Sequence, residues 1–541
     1  SRVLMPLSGV SSFSSMSSTG EAAWRFVKGP LAGCATGAAL VAVASAAVVR
    51  RQRRQRCHGC DVKECWLADA ESLGLSPKKL RELAAGFEAR YIASGLLPGA
   101  VLAVVRRGQV VAIWEFGSYK ASTVFKLYSM SKVFTALAAL QLIDEGRFFL
   151  DDPISRLVPE WPTALSLQPS EGPEQPMQGV LSLRHCFTHT GGFSCTMPTV
   201  SPVSAFRPLE RRRLQAHRCL NGPPPPQDLQ ALVEREGRQP HIFEPGSHFN
   251  YCGVGSWLLA RAVEEASGMS IAEYFRTRLF EPAGMARTGF VIDEALAADC
   301  VPTDYHPLVM QAVVDGMPVT RLQGLRLRCR AFFAWLIGLP FLRHVAAGRG
   351  VLSTKKLWDR SLTLFRPDAG LVGTASDVVR WLQVLTDGGL APAPLPGPQF
   401  GTSGGLDGDR GGRARVLPCS ALTSIATPST IELRGPFALD APEAEGEMLL
   451  TLRRRTGKRT RPFNCFPGQQ FGLGACVVTD PVRAGLPPRA AGTWHWMGFA
   501  STFFFVSPHE ELAACFLTQL VSHRAYPIQQ ELVAGVHDCL V

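Results

Sequence analysis

The sequence lacks a compact cysteine framework. Its 15 Cys are an odd number and are spread over 541 residues, which favours free thiols in a reducing compartment over a disulfide scaffold. Cys57, Cys60 and Cys65 stand close together, but no second pair of ligands follows at the spacing of a zinc finger. We therefore predict neither a metal site nor an organic cofactor, and we interpret these cysteines as part of a linker.

The sequence also lacks an evenly distributed positive charge, although its formal net charge is +11. The basic excess is bunched in residues 50–56, 207–218, 326–330 and 453–461. Such local clusters are typical of solvated loops or of segments beside a membrane. No nucleic-acid partner is predicted.

Acidic residues are scarce near the N-terminus, where one long apolar run occurs. Residues 1–29 are rich in Ser, and we predict a disordered or targeting segment there. Residues 30–49 are apolar or small and are followed by the basic residues 50–56, which together predict one membrane-spanning helix. The first residue is Ser rather than Met, as in a fragment or a processed form.

Two other interpretations of the N-terminal region stay open. Its composition is also that of a transit peptide for a mitochondrion or plastid, and the apolar run can equally form a buried helix rich in small residues. We therefore expect either a single N-terminal anchor or an organelle address, with membrane association through residues 30–49 in the first case.

The rest of the chain is long enough to bury a sizeable core. We predict a basic, Cys-containing linker over residues 50–75 and a catalytic domain over residues 76–541. Three stretches have the composition of inserted loops, and they lie near residues 194–240, 321–350 and 390–412. The first of these includes a predicted helix at 229–236.

The pattern of apolar residues predicts a sheet built from both ends of the chain. Residues 77–88 have helical spacing, whereas residues 100–105 and 110–114 read as two strands around a Gly-containing turn. Two further apolar strands are predicted near the C-terminus, at residues 503–506 and 512–517.

A serine at the start of an apolar helix is the main functional signal. Residues 125–132 read FKLYSMSK, and the chain then continues with almost only apolar residues and no Gly or Pro until Gly146, which predicts a core helix. Ser129 and Lys132 are three residues apart, so they share one helix face and the amine can reach the hydroxyl. Because a serine hydroxyl must lose its proton as it attacks a carbonyl, this spacing suits a nucleophile and its base. On this tetrapeptide alone, a surface Ser beside a snorkelling Lys is the alternative.

This segment and several later ones resemble the serine beta-lactamase and penicillin-binding-protein superfamily, and more narrowly its class C beta-lactamase-like esterases. The similar segments follow the family's order along the chain, at residues 125–161, 183–193, 243–251, 261–268, 280–285, 370–377, 471–474 and 494–503. The resemblance implies an α+β, beta-lactamase/transpeptidase-like fold, with an antiparallel sheet from both chain ends flanked by helices and a helical lobe.

The resemblance also implies the other members of an acid–base pair. Tyr251 matches the tyrosine of the family's second motif, which would share a hydrogen-bond network with Lys132 and exchange the proton of Ser129 with it. The third position of that motif is Gly253, where the antibiotic-directed enzymes often carry Asn. This departure counts against recognition of lactam antibiotics.

The third motif departs from the antibiotic-directed enzymes as well. Trp496, Met497 and Gly498 stand where those enzymes have Lys-Thr-Gly, and esterase-like members carry tryptophan and glycines there. By resemblance this strand binds substrate, with Gly498 allowing a close approach. The backbone N–H groups of Phe499 and Ser129 would form the oxyanion hole.

A Ser-His-Asp mechanism is not predicted, because no Gly-x-Ser-x-Gly elbow precedes a helix in the right context. His189 and His495 are therefore not expected to act as the general base. The sequence predicts a serine hydrolase that forms an acyl-enzyme on Ser129 and acts, like a carboxylesterase, on small esters or amides. The alternatives are a peptidase or amidase of the same type, and a non-catalytic, membrane-tethered scaffold that has kept the fold.

Overall fold

A computed structural model describes much of the predicted catalytic domain. The described residues are 62–168, 173–193, 226–293, 296, 299–301, 303–305, 364–393, 413–430, 467–521 and 526–541. The predictions for residues 1–29, 30–49 and 50–56 lie outside them, as do most of the insertion near 194–240, all of that near 321–350 and most of that near 390–412.

Among the residues that the structure describes, none of the helices has both the length and the apolar character needed to cross a bilayer. The same part of the chain contains no cluster of three or more His, Cys, Asp or Glu side chains able to hold a metal ion. The cysteines in it are free thiols.

The strands are short and lie mostly near the two ends of the domain. They are β1 (Lys63–Trp66), β2 (Gly99–Arg106), β3 (Gln109–Gly117), β4 (Val124–Lys126), β5 (Ser166–Leu167), β6 (Gln175–Pro176), β7 (Asp304–Tyr305), β8 (Val372–Thr374), β9 (Gln469–Phe471), β10 (Cys476–Val478), β11 (Trp494–Met497), β12 (Phe503–Ser507), β13 (Leu512–Leu517) and β14 (Leu520–Val521).

The helices occupy most of the middle of the described chain. They are α1 (Pro77–Phe87), α2 (Ser131–Asp144), α3 (Ile154–Leu157), α4 (Leu183–Phe187), α5 (Leu229–Gly237), α6 (Val254–Ser267), α7 (Ile271–Tyr274), α8 (Glu281–Ala283), α9 (Ala375–Thr386), α10 (Cys419–Ala426), α11 (Pro481–Ala484) and α12 (Ile528–Asp538). Short 3-10 turns cover Tyr128–Met130 and Pro488–Ala490, and π-helical turns cover Glu88–Ala93 and Phe275–Phe280.

Within the described residues, eight strands form one antiparallel sheet in the order β1-β3-β2-β13-β12-β11-β10-β9. Strand β2 pairs with β13, with Leu102 opposite Phe516, so the N-terminal and C-terminal strands meet in the middle of the sheet. Consecutive residues of β2 are all buried, which requires cover on both faces because successive side chains point to opposite sides. Helix α9 packs on β2 and β13. The predicted sheet from both chain ends is confirmed.

The sheet begins earlier than the sequence indicated. Lys63–Trp66, inside the predicted linker of residues 50–75, pairs with β3 at the edge of the sheet. The ring of Trp66 lies edge-on to Trp114, with centroids 5.5 Å apart. The folded unit therefore starts before residue 76, because one apolar ring contact and a short ladder tie this segment to the core.

The helical lobe is organised around two helices that lead away from the candidate site. Helix α2 is buried at every position from Ser131 to Leu142, which confirms the predicted core helix. It packs side by side with α6, and α6 also contacts α3, α4, α5 and α7. Phe134 anchors α2 by ring contacts with Trp381 and Phe280, at 4.8 Å and 5.4 Å. Because these two helices pack together, the segments that precede them meet at one place.

Candidate active site

Ser129 lies in a tight turn between strand β4 and helix α2. Tyr128, the residue before it, has φ +48°, a left-handed conformation that costs roughly 1–2 kcal/mol for a residue with a Cβ. The Tyr128 hydroxyl is 3.0 Å from the hydroxyl of Thr303, which helps to hold the turn. Ser129 is partly exposed, as a nucleophile that meets a substrate must be.

Lys132 lies on the first turn of α2 and points back at Ser129. Its Nζ donates a hydrogen bond to the Ser129 Oγ at 3.3 Å and another to the backbone carbonyl of Asp368 at 2.8 Å. The side chain is only 6% exposed. Two acceptors on opposite segments therefore fix the amine beside the hydroxyl that it is predicted to deprotonate.

Tyr251 is brought to the same amine by helix α6, which starts three residues after it. The Lys132 Nζ lies 4.9 Å from the centroid of the Tyr251 ring, and the tyrosine is 6% exposed. Its ring contacts those of His189 at 4.6 Å and Trp496 at 5.3 Å. The structure thus places Ser129, Lys132 and Tyr251 together, although they come from two separate parts of the chain.

His189 forms one wall of this arrangement and is neutral at pH 7. Burial, followed by the positive charge of Lys132, lowers the pKa of His189 to about 3. Its Nδ1 accepts a long hydrogen bond of 3.5 Å from the backbone N–H of Cys252, and its φ is +56°. An uncharged imidazole on a strained backbone position therefore packs against Tyr251.

His495, the other histidine considered from sequence, lies on strand β11. Its Nε2 is 2.7 Å from the Gln469 Oε1 on the neighbouring part of the sheet. These described contacts of His189 and His495 involve groups other than Ser129. That neither histidine is the general base stays a prediction.

Trp496 and Gly498 of the third motif are buried beside the segments that carry Tyr251 and Ser129. Trp496 packs against Tyr251, as described above, and against Phe471 with ring centroids 5.1 Å apart. A Cβ on Gly498 would lie 2.0 Å from the Thr502 Oγ1 and 2.5 Å from the carbonyl oxygen of Leu127. Position 498 therefore requires glycine because Thr502 and Leu127 of the protein itself lie so close. That Gly498 also allows a close approach of the substrate stays a prediction.

Phe499 follows this glycine and reaches the other side of the serine turn. Its ring lies edge-on to that of Tyr128, with centroids 6.2 Å apart, and both side chains are partly exposed. The third motif therefore lies next to the serine turn. That the N–H groups of Ser129 and Phe499 form an oxyanion hole stays a prediction.

Sequence reasoning missed three residues on the opposite side of Lys132. Asp368 supplies the carbonyl that binds the amine from 236 positions along the chain, and its carboxylate is held by Arg366 and Trp257. Burial by itself raises the pKa of Asp368, yet the charge and hydrogen bonds of Arg366, with Lys132 and Trp257, hold it at about 2. The only sequence signal was that Asp368 stands just before the family-like segment at 370–377.

A cavity of about 710 Å³ lies elsewhere in the helical lobe, beside the predicted insertion near 194–240. Helix α5 confirms the helix predicted at 229–236 and contributes to this cavity. The residues that line it are Glu160, Pro162, Ala164, Leu165, Ser166, Glu174, Gln175, Pro176, Glu234, Gly237 and Arg238. The predicted site residues are not among them.

The family model described as beta-lactamase matches residues 84–535. The chain belongs to the beta-lactamase family. It is 26% identical over 438 residues to the esterase EstB of Burkholderia gladioli, an alignment that covers 78% of this chain and 86% of EstB. The family and this relative indicate a hydrolase of the serine beta-lactamase type.

Solved structures of the family share the fold. The structure of EstCE1, a hydrolase with promiscuous acyltransferase activity, matches with a TM-score of 0.55 and 18% identity over 85% of this chain and 99% of EstCE1. Simvastatin synthase LovD from Aspergillus terreus matches with a TM-score of 0.55 and 15% identity over 85% of this chain and 97% of LovD. The α+β, beta-lactamase/transpeptidase-like fold predicted from the sequence is confirmed.

Proposed function

We propose that the protein is a carboxylesterase-like serine hydrolase that forms an acyl-enzyme on Ser129. The observation that carries the proposal is the position of the Lys132 amine, 3.3 Å from the Ser129 Oγ and 4.9 Å from the Tyr251 ring. A hydroxyl with a buried amine and a phenol beside it has the partners that nucleophilic attack requires.

The chemistry runs in two halves. The Ser129 Oγ forms a bond to the carbonyl carbon of the substrate while its proton passes to the Lys132 and Tyr251 pair. That proton is then given to the leaving oxygen or nitrogen as its bond to the carbonyl carbon breaks. In the second half, water attacks the acyl-serine, the pair takes a proton from the water and returns it to Ser129, and the carboxylic acid leaves. N–H groups of Ser129 and Phe499 would stabilise the oxyanion in both halves.

An ester or small amide fits the site better than a lactam antibiotic. Gly253 provides no side-chain amide, and the Trp496 to Gly498 strand provides no lysine to bind a substrate carboxylate. The esterase relative EstB covers most of the chain, which supports the same substrate class.

The test uses the full-length protein with a fluorophosphonate probe and p-nitrophenyl acetate, beside a Ser129→Ala variant. We expect covalent labelling at Ser129 and hydrolysis, both lost in the variant. The matched control is Ser131→Ala, because the Ser131 hydroxyl is fully buried and accepts a hydrogen bond from the Leu371 N–H at 3.1 Å. This control should keep its labelling.

Two outcomes would contradict the proposal. Folded wild-type protein that takes up no probe would point to the non-catalytic scaffold instead. Equal labelling of wild type and Ser129→Ala would place the nucleophile elsewhere. Hydrolysis of D- or L-aminoacyl nitroanilides but not of esters would shift the substrate class to peptides while keeping Ser129 as nucleophile.

A further inference from the structure

Gly253 leaves a space that another residue fills. A Cβ at this position would lie 2.8 Å from the Oδ2 of Asp368 and 3.1 Å from the ring of Trp257. The backbone does not explain the glycine, because φ −79° and ψ −23° are accessible to any residue. What excludes a side chain at position 253 is therefore the carboxylate of Asp368.

The carboxylate of Asp368 accepts three hydrogen bonds from two residues. Its Oδ1 accepts hydrogen bonds from the Trp257 Nε1 at 2.7 Å and from the Arg366 Nε at 2.8 Å. Its Oδ2 accepts from the Arg366 Nη2 at 2.9 Å. Charge-assisted bonds with this forked geometry are stronger and more directional than neutral ones. Since Asp368 is only 6% exposed, water competes little for its oxygens.

The backbone of the same residue binds the predicted base. The carbonyl oxygen of Asp368 accepts a hydrogen bond from the Lys132 Nζ at 2.8 Å, so the residue whose carboxylate is fixed by Arg366 and Trp257 also supplies an acceptor of the amine. We infer that Asp368 is a positioning residue for Lys132, with its carboxylate in the space where the second motif of lactam-directed relatives carries a side chain. The inference rests on the proposed function, because the position of Lys132 matters for catalysis only if Ser129 is the nucleophile.

The arrangement also explains why the departure at Gly253 is compatible with an active site. Gly253, which directly precedes α6, and Asp368 pack together, and the Asp368 carboxylate from the segment before β8 occupies the space of the side chain that Gly253 lacks. The two positions should therefore be coupled, and a substitution at either should disturb the same contact.

The first test measures p-nitrophenyl acetate kinetics of the full-length protein with Asp368→Ala and Asp368→Asn. We expect kcat to fall by about 10- to 100-fold in Asp368→Ala with KM changed by less than about threefold, since displacement of a catalytic group slows the chemical step more than binding. Asp368→Asn keeps the size and one carbonyl acceptor, so it should recover part of the lost rate. The rate of fluorophosphonate labelling should fall in parallel.

The matched control is Asp377→Asn, which changes another buried aspartate, 4% exposed, in the same way. Its kcat and KM should stay within about threefold of wild type. Wild-type kcat in both folded Asp368 variants would overturn the inference while leaving the proposed function intact. Absence of any Ser129-dependent labelling in folded wild-type protein would overturn both.

The second test is a double-mutant cycle with Gly253→Ala. The added methyl should push the carboxylate away and lower kcat by about 10-fold or more, whereas Gly253→Ala combined with Asp368→Ala should be no slower than Asp368→Ala alone. Losses that multiply in the double variant would show that the two positions act independently and would contradict the inference.

Discussion

Two buried aspartates, nine positions apart in the sequence, differ in the pH at which their carboxyl groups ionise. Asp368, in the segment before β8, has a pKa of about 2. Asp377, at the start of α9, has a pKa that burial raises to about 6. Both are almost fully buried, so burial alone does not decide whether a carboxyl is ionised.

The difference comes from the partners. Burial raises the pKa of Asp368, but the charge and hydrogen bonds of Arg366, the charge of Lys132 and the hydrogen bond from Trp257 together outweigh that cost. Asp377 accepts hydrogen bonds from the Thr288 hydroxyl at 2.8 Å and the backbone N–H of Arg287 at 2.7 Å. These bonds, together with the positive charge of Arg380, do not outweigh the cost of burial. The Asp368 carboxyl beside Lys132 therefore stays ionised down to about pH 2, whereas the Asp377 carboxyl at the start of α9 titrates near pH 6.

The largest effect is expected from removing Lys132, the cation that the backbone carbonyl of Asp368 binds. Lys132→Met should lower kcat/KM by at least about 10³-fold, because the hydroxyl loses its base. The measurement is ester hydrolysis with melting temperature as a folding control. Lys126→Met is the matched control, since Lys126 is also a buried lysine, 8% exposed, three residues before Ser129. An equal loss in both variants would remove the special role of Lys132.

The second test concerns Asp377 and the neutral range of pH. A folded-state pKa raised from 3.8 to about 6 gives a stabilising contribution that is present below pH 3.8 and is lost as the pH rises through about 6. Asp377→Asn should therefore gain about 2.4 kcal/mol of unfolding free energy relative to wild type between about pH 4 and about pH 7. Urea unfolding at the two pH values measures this, and a difference that does not change with pH would mean that Asp377 is ionised without cost.

The smallest expected effect has the opposite sign and concerns Asp368. A folded-state pKa lowered from 3.8 to about 2 gives a contribution that is present above pH 3.8 and is lost as the pH falls through about 2. Asp368→Asn should lower the unfolding free energy by about 2 kcal/mol at about pH 7, and this loss should shrink by about half at about pH 3. A loss that stays constant with pH would come from packing rather than from the charge.

Much of the site was predictable where the spacing is local. Ser129 and Lys132 are three residues apart on one helix turn, so helical geometry alone places the amine near the hydroxyl. The apolar run after Ser131 predicted a buried helix, and the short apolar runs near both chain ends predicted the sheet. Tyr251 was reached through resemblance, because its partners are more than a hundred residues away and no local spacing connects them.

The N-terminal boundary of the domain and the contacts that hold Lys132 in place could not be predicted from local spacing. Lys63–Trp66 is too short and too polar to stand out as a strand, and it pairs only because β3 offers an open edge. The contact between Gly253 and Asp368 depends on two segments that meet only when α6 packs on α2. From the sequence alone, Gly253 could be interpreted only as the loss of the side-chain amide that the second motif often carries.

The sequence by itself determined the local spacing of Ser129 and Lys132, the core helix after them and the strands at both chain ends, since these follow from residue type and the apolar pattern. Tyr251 and the α+β fold came from the resemblance to the family. Only the tertiary structure decided what holds the lysine. Its carbonyl acceptor, the ionised carboxylate beside it and the guanidinium that keeps that carboxylate charged lie far from Lys132 along the chain. The electrostatic effect of these groups on one another depends on the distances between them and on their burial. Neither quantity can be calculated from the spacing of residues along the chain.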